Sequence, residues 1–220
     1  MSSNVRHVAD RTASKTGRRT QEVRREEAEQ RILGSAAALV AERGLERFTL
    51  AEVGEAAGYS RGLPAHYFGN KEGLIEALAK DIVGGFRKAV EEGLEGHKPG
   101  LEHLLRTTEM YFERAERNET RIQALFVIFA ESLHSQPLRK PISDLVAHSA
   151  VRMERDIRAG MAAGDIRKSV DPKAQAMLIL SALRGAISQW LTDHNGVDLN
   201  ALRSEFVATL RYGLLKTRSR

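Results

Sequence analysis

The stretch Phe48-Thr49-Leu50-Ala51-Glu52-Val53-Gly54-Glu55-Ala56-Ala57-Gly58-Tyr59-Ser60-Arg61-Gly62-Leu63 decides how this chain is read. Thr49 and Glu52 form a capping-box pattern. The threonine hydroxyl takes the amide of the third helical residue, and the glutamate reaches back to the cap. Leu50, Val53 and Ala57 give the short helix that follows an inward face. Gly58 stops it by accepting a left-handed conformation. Ser60 is placed to cap a second short helix running to about Tyr67, and Asn70 to cap a longer one. Two short helices joined by a glycine-containing turn are the physical form of a DNA-reading unit. The first crosses the backbone, and the second turns its N-terminal residues to base edges. The pattern alone fits an ordinary pair of short helices better than a DNA-reading unit.

Outward from this stretch the chain reads as helix from about residue 22 onward. Ile32, Ala36, Leu39 and Val40 share one face before Gly44, and Leu74, Leu78 and Ile82 make an i, i+4, i+8 stripe after Asn70. Turns are expected at His97-Lys98-Pro99-Gly100, Ser135-Gln136-Pro137, Gly164-Asp165 and His194-Asn195-Gly196. Alternating β-branched runs, internal repeats and sustained heptads are not found, so the expected fold class is all-α.

The 220 residues carry 42% hydrophobic and 29% charged residues, the composition of a globular chain able to fold without disulfides. Cysteine is absent, which removes thiolate metal sites and cysteine nucleophiles. The histidines show no i, i+4 ligand pair, so neither a metal nor a cofactor is expected. The longest apolar run, Ala124 to Ala130, is too short to span a bilayer. With no apolar signal-like stretch near residue 1, the expected location is the cytoplasm. Residues 1–25 hold seven cations against Asp10 and Glu22, a surplus as large as the formal net charge of +5 for the whole chain. With few large apolar side chains, residues 1–24 are expected to be a mobile basic arm. Such an arm either contacts phosphates or a minor groove, or is simply solvated.

Gly58-Tyr59-Ser60-Arg61-Gly62 also fits G-x-S-x-G, the nucleophile elbow of serine hydrolases. That elbow needs a strand before the serine and a sheet to hold its Asp and His partners. The helical pattern of Thr49–Ala57 argues against it. The hydrolase is therefore the minor alternative and Ser60 as a helix cap the main reading.

The residues quoted above, followed by His66-Tyr67-Phe68-Gly69-Asn70-Lys71-Glu72-Gly73-Leu74, resemble the TetR (tetracycline-repressor-like) family of bacterial transcriptional regulators over residues 28–78. A phenylalanine before a Thr-capped helix, an A-x-x-A-G turn, a short recognition helix and an aromatic-Phe-x-x-Lys closure occur in order and at family spacing. Leu183-Arg184-Gly185-Ala186-Ile187-Ser188-Gln189-Trp190-Leu191 and the Gly196-Val197-Asp198 turn are similar to the family's last two helices. The resemblance implies a helix-turn-helix DNA-binding domain over 25–72 and a helical effector-binding and dimerisation domain over 73–220. It implies a homodimeric regulator without catalytic activity, a repressor released from a palindromic operator by a small-molecule effector. An activator or a non-specific DNA binder with the same head is the alternative. Many members have Leu-Tyr where this chain has Pro64-Ala65. Counted from a Ser60 cap, Pro64 lies at the limit of what a first helical turn tolerates. Ala65 leaves phosphate contact to its neighbours.

By match to the motif, the expected DNA contacts are Thr49, Ser60, Arg61, Gly62, Leu63, His66, Tyr67 and Lys71. Thr49, His66, Tyr67 and Lys71 are assigned to phosphates and Arg61 to a guanine edge. Gly62 allows close approach to the groove. Leu63 either meets a thymine methyl or packs on the first helix of the unit. The family's effector pocket maps to His103, Met110, Tyr111, Phe126, Phe129, His134, His148 and Trp190, with Glu109 a further polar candidate. For most of those aromatics an ordinary core is the preferred reading. The resemblance further implies that the apolar stripes of the last two helices set Leu183, Ile187, Leu202, Phe206 and Leu210 at a dimer interface, unless they face the chain's own core.

Overall fold

In the computed structural model the backbone is described for residues 6–215 and the side chains for residues 21–215. Nine helices are found among the described residues: α1 (Arg6–Arg43), α2 (Leu50–Ala56), α3 (Leu63–Phe68), α4 (Lys71–Gly93), α5 (Leu101–Arg117), α6 (Glu119–Glu131), α7 (Gln136–Ala163), α8 (Pro172–Thr192) and α9 (Leu199–Leu214). No strand is present among them; one isolated bridge joins Ile166 to Leu215. No helix among the described residues is long and apolar enough to cross a membrane.

Local chemistry accounts for most helix ends. Glu52 N donates to Thr49 Oγ1 at 3.2 Å, and Thr49 N donates to Glu52 Oε2 at 2.7 Å, which completes the expected box. Asn70 accepts from Gly73 N, Asp171 from Lys173 N and Ala174 N, and Asp198 from Asn200 N and Ala201 N. Each cap satisfies amides that the first turn leaves without an intrahelical partner. Three of the four expected turns fall between helices; of Ser135-Gln136-Pro137 only Ser135 does, because Gln136 and Pro137 already form the first turn of α7. A fifth break, at Asn118 between α5 and α6, carries no glycine or proline to announce it. Helix α1 starts well before residue 22: the backbone of the segment read as an arm is helical from Arg6. The side chains of that segment up to residue 20, and residues 1–5, lie outside the described residues.

One apolar core joins Ile32, Ala36 and Val40 of α1, Val53 of α2 and Leu74 and Leu78 of α4 to Ala124, Leu125 and Ile128 of α6. The N-terminal helical unit therefore shares its core with the helices beyond residue 73. Asp81 of α4 reinforces this junction by accepting from Gln30 of α1 at 3.0 Å and pairing with Arg121 of α6. A second core lies between α5, α7, α8 and α9. Helix α4 spans both regions: Leu74–Ile82 belong to the first core, while Phe86 and Val90 pack beside Met110 and Tyr111 of α5.

Candidate DNA-binding head and ligand cavity

The head is built by three short-range devices. The capping box fixes the start of α2. Gly58, at φ +76°, then reverses the chain, and Tyr59 N donates to Gly54 O at 2.9 Å. Gly54 leaves the space in which the turn closes, since a Cβ there would stand 2.6 Å from Ser60 O and 3.1 Å from Pro64 Cδ. Helix α3 then begins at Leu63, with Gly62 as its N-cap and no side-chain cap.

This start corrects the expectation for Ser60. It lies exposed in the turn, and only its carbonyl takes part, accepting from Leu63 N at 3.1 Å. The chain needs two more residues than a Ser60 cap allows before the backbone turns helical. Pro64 is consequently the second residue of α3, within the first turn, where a missing N–H costs no helical bond. The departure at Pro64-Ala65 therefore leaves the recognition helix intact.

Arg61 and His66 are exposed, as are Gly62 and Ala65. Arg61 Nε pairs with Glu55 Oε1 at 2.9 Å, so a base edge would have to displace that carboxylate. Leu63 is half-buried and packs against the head core, which favours the packing role over a thymine methyl. Tyr67 is also half-buried, edge-on to the His66 ring at 5.8 Å. Thr49 Oγ1 donates to Glu52 Oε2 at 2.9 Å, inside its own box. Lys71 Nζ donates to Phe48 O at 2.7 Å, which leaves two of its three N–H groups for a phosphate. Beyond the sequence-predicted contacts, Arg25 and Arg31 of α1 also pack against rings of this unit. Their guanidinium carbons lie 5.7 Å from the Tyr67 ring and 5.6 Å from the Tyr59 ring. The basic run before Ile32 was the available signal.

In the second region, a cavity of about 60 Å³ lies among α4, α5, α6, α7 and α8, with Phe86, Tyr111, Phe126, Phe129, Arg114 and Arg184 in its wall. A second chamber of about 130 Å³ adjoins it between α4, α5 and α7 and includes His103, Thr107, Arg152 and Asp156. Tyr111 and Ser149 belong to both walls. Burial pushes the Tyr111 hydroxyl up from its ordinary value, opposed by the Arg152 and Arg184 charges and by hydrogen bonds to Ser149 and Arg152. Burial likewise lowers the Arg114 and Arg184 guanidiniums. His103 Nδ1 lies 2.9 Å from Asp156 Oδ2, and Arg155 Nη2 pairs with the other oxygen of the same buried carboxylate at 2.9 Å.

Of the expected pocket residues, Tyr111, Phe126 and Phe129 line the first chamber and His103 the second. His148 borders an outer groove between α4 and α7. Three fall elsewhere. Met110 packs with Phe86, Val90 and Leu94, His134 is exposed in the α6–α7 connection, and Trp190 is buried against the His194 ring at 4.5 Å. Glu109 pairs with Arg106 on the outside of α5. Arg114, Arg152 and Arg184 were not singled out, because an arginine within an amphipathic helix reads as solvent-facing.

The residues expected at a dimer interface lie as follows. Leu183, Ile187 and Leu210 are buried in the chain's own second core, and Phe206 packs edge-on to Phe112 at 5.7 Å. Leu202 is half-buried against the same core. The outward face of α8 instead shows Met177 and Leu178, the latter 62% exposed, and α9 shows Tyr212 at 80%.

The fold and the head together define a class, an all-helical regulator with an N-terminal helix-turn-helix. Residues 32–78 match the model of the family described as bacterial regulatory proteins, tetR family. That segment therefore carries the family's DNA-binding unit, and the chain reads as a DNA-binding transcriptional regulator. It is 24% identical over 210 residues to the HTH-type transcriptional repressor KstR2 of Rhodococcus jostii (strain RHA1), covering 94% of this chain and 95% of that protein. The fold is shared with a TetR-family transcriptional regulator from Rhodococcus sp., at a TM-score of 0.77, 24% identity, and coverage of 87% of this chain and 100% of that one. A transcriptional regulator from Saccharomonospora viridis in complex with choline has a TM-score of 0.76, 19% identity, and coverage of 87% and 99%. The hydrolase alternative falls with the geometry: Ser60 follows helix α2 rather than a strand.

Proposed function

We propose that this protein is a homodimeric repressor that grips a palindromic operator with two heads and is released when a small molecule enters its cavity. The observation that carries this reading is the course of α4. It begins at Lys71, tied to the head through Phe48, and runs as one helix to Phe86, in the cavity wall. A ligand that favours one seat of α4 thereby favours one placement of the head. An affinity difference of about 1–3 kcal/mol between the two placements suffices for a 5- to 150-fold release.

A short α3 covers few base pairs, so two heads about one duplex turn apart are needed to read an operator. The unpartnered apolar groups of α8 and α9, Leu178 and Tyr212 among them, supply a face on which a second copy can pack. Selection of bound duplexes from a random pool tests the reading. A two-fold symmetric consensus with half-sites about one turn apart is expected. Enrichment without a consensus would leave a non-specific binder instead.

A further inference from the structure

Among the described residues, two buried side-chain polar atoms have no hydrogen-bond partner: Thr107 Oγ1 and Arg114 Nε. Both residues belong to the paired chambers, Arg114 in the apolar one and Thr107 in the polar one. Buried polar groups in folded proteins are nearly always partnered, and an unpartnered one costs free energy. Here both exceptions fall at one place.

The charges at that place are also unbalanced. Arg106, Arg121, Arg155, Arg158 and Arg211 each pair with a carboxylate. Arg114, Arg152 and Arg184 pair with none among the described residues, yet all three border the chambers that meet at Tyr111. The Arg184 guanidinium carbon lies 4.4 Å from the Phe129 ring centroid, a contact that steadies a cation without neutralising it. The Arg114 guanidinium rests in a notch of α4: a Cβ at Gly85 would stand 2.8 Å from Arg114 Nη2. Two half-buried guanidiniums, Arg114 and Arg184, in the largely apolar wall of the first chamber match an anion carried on an apolar body.

We propose that the two chambers form one effector site for an organic acid. Its apolar body lies among Phe86, Phe126 and Phe129, its carboxylate is held by Arg114 and Arg184 beside Tyr111, and Thr107 meets a further polar atom of the ligand. This deepens the effector reading above and rests on it. The fold does not supply the ligand's charge, since the Saccharomonospora viridis relative of similar fold is in complex with choline, a cation. The side chains of the wall set it. Drawing Arg114 toward a carboxylate changes its seat against Gly85, and so the position of α4.

Calorimetric titration of the full-length protein with decanoate and 2-naphthoate, each beside its neutral primary amide, tests the proposal. At least one acid is expected to bind tenfold or more tightly than its amide. The R114Q/R184Q variant should bring acid and amide within twofold of each other, and R184K, which keeps the charge, should retain the preference. Equal binding of acid and amide overturns the proposal. So does an acid preference that survives R114Q/R184Q, or a protein that holds its selected duplex but takes neither acid. Failure to hold any duplex would instead count against the repressor reading, because the acid–amide comparison needs no DNA.

Discussion

The ammonium of Lys71 donates to the carbonyl oxygen of Phe48 at 2.7 Å while lying 4.3 Å from the centroid of the Phe48 ring. The bond ties the first residue of α4 to the residue before the cap of α2, so one side chain both braces the head and stands at a position read as a phosphate contact. Lys71→Met is expected to lower stability by about 1.5 kcal/mol, the scale of a charge-assisted hydrogen bond, and to weaken all duplexes alike. Urea unfolding alongside duplex titration checks both. A variant of unchanged stability would show the tie to be energetically idle.

Gly54 and Gly62 are expected to respond oppositely to the same substitution. A Cβ at Gly54 meets the Ser60 carbonyl oxygen, a backbone atom that cannot step aside alone, whereas nothing lies within 4 Å of a Cβ at Gly62. Gly54→Ala should cost about 1–3 kcal/mol through overpacking and displace α3. Gly62→Ala should leave the unfolding midpoint in place, and any fall in duplex affinity would then report a groove approach too close for a methyl group.

The Thr49–Glu52 box gives the head an acid-sensitive component. Hydrogen bonds from Thr49 hold the Glu52 carboxyl below its ordinary value of 4.5, with a smaller pull from Arg43. A lowered folded value means that this stabilisation is complete above 4.5 and is lost as the pH falls through the folded value. Unfolding at neutral pH and at a pH well below 4.5 should show Glu52→Gln less stable than the parent only in the first condition. Thr49→Ala removes the cap itself, at about 1 kcal/mol.

Arg61 is expected to govern sequence preference. Arg61→Ala should lower affinity for the selected duplex by about 1–3 kcal/mol and leave a scrambled duplex nearly unchanged. Glu55→Gln releases Arg61 from its 2.9 Å ion pair and should strengthen binding to both duplexes. Gel titration of the two variants on the two duplexes separates these effects. Equal losses for Arg61→Ala on both would move Arg61 to a phosphate.

Two leucines of α8 are expected to report different things. Leu178 is exposed and Leu183 fully buried. Leu178→Glu should yield a folded monomer by light scattering, with weakened operator binding. Leu183→Ala should cost about 2–5 kcal/mol of chain stability by opening a cavity. A dimer that survives Leu178→Glu would place the interface on another face.

The helices were legible because their signals are local. The Thr49 box, the Gly58 reversal, the Asn70 cap and the Leu74–Leu78–Ile82 stripe each involve residues within a few positions of one another, and a 3.6-residue period needs no distant partner. The start of α3 was less so. Ser60 is a good capping residue in isolation, but the close approach of Gly54 to Ser60 and Pro64 delays the helix to Leu63.

Side-chain destinations across helices depended on packing. A stripe of leucines on α8 says that one face is apolar, and not whether α5 and α7 or a second copy covers it; the chain's own core takes Leu183 and Ile187. Likewise Arg114, Arg152 and Arg184 sit on three helices, with nothing in their spacing to join them. Their convergence on Tyr111 follows from the crossing of α5, α7 and α8, a relation between segments tens of residues apart that no local pattern encodes.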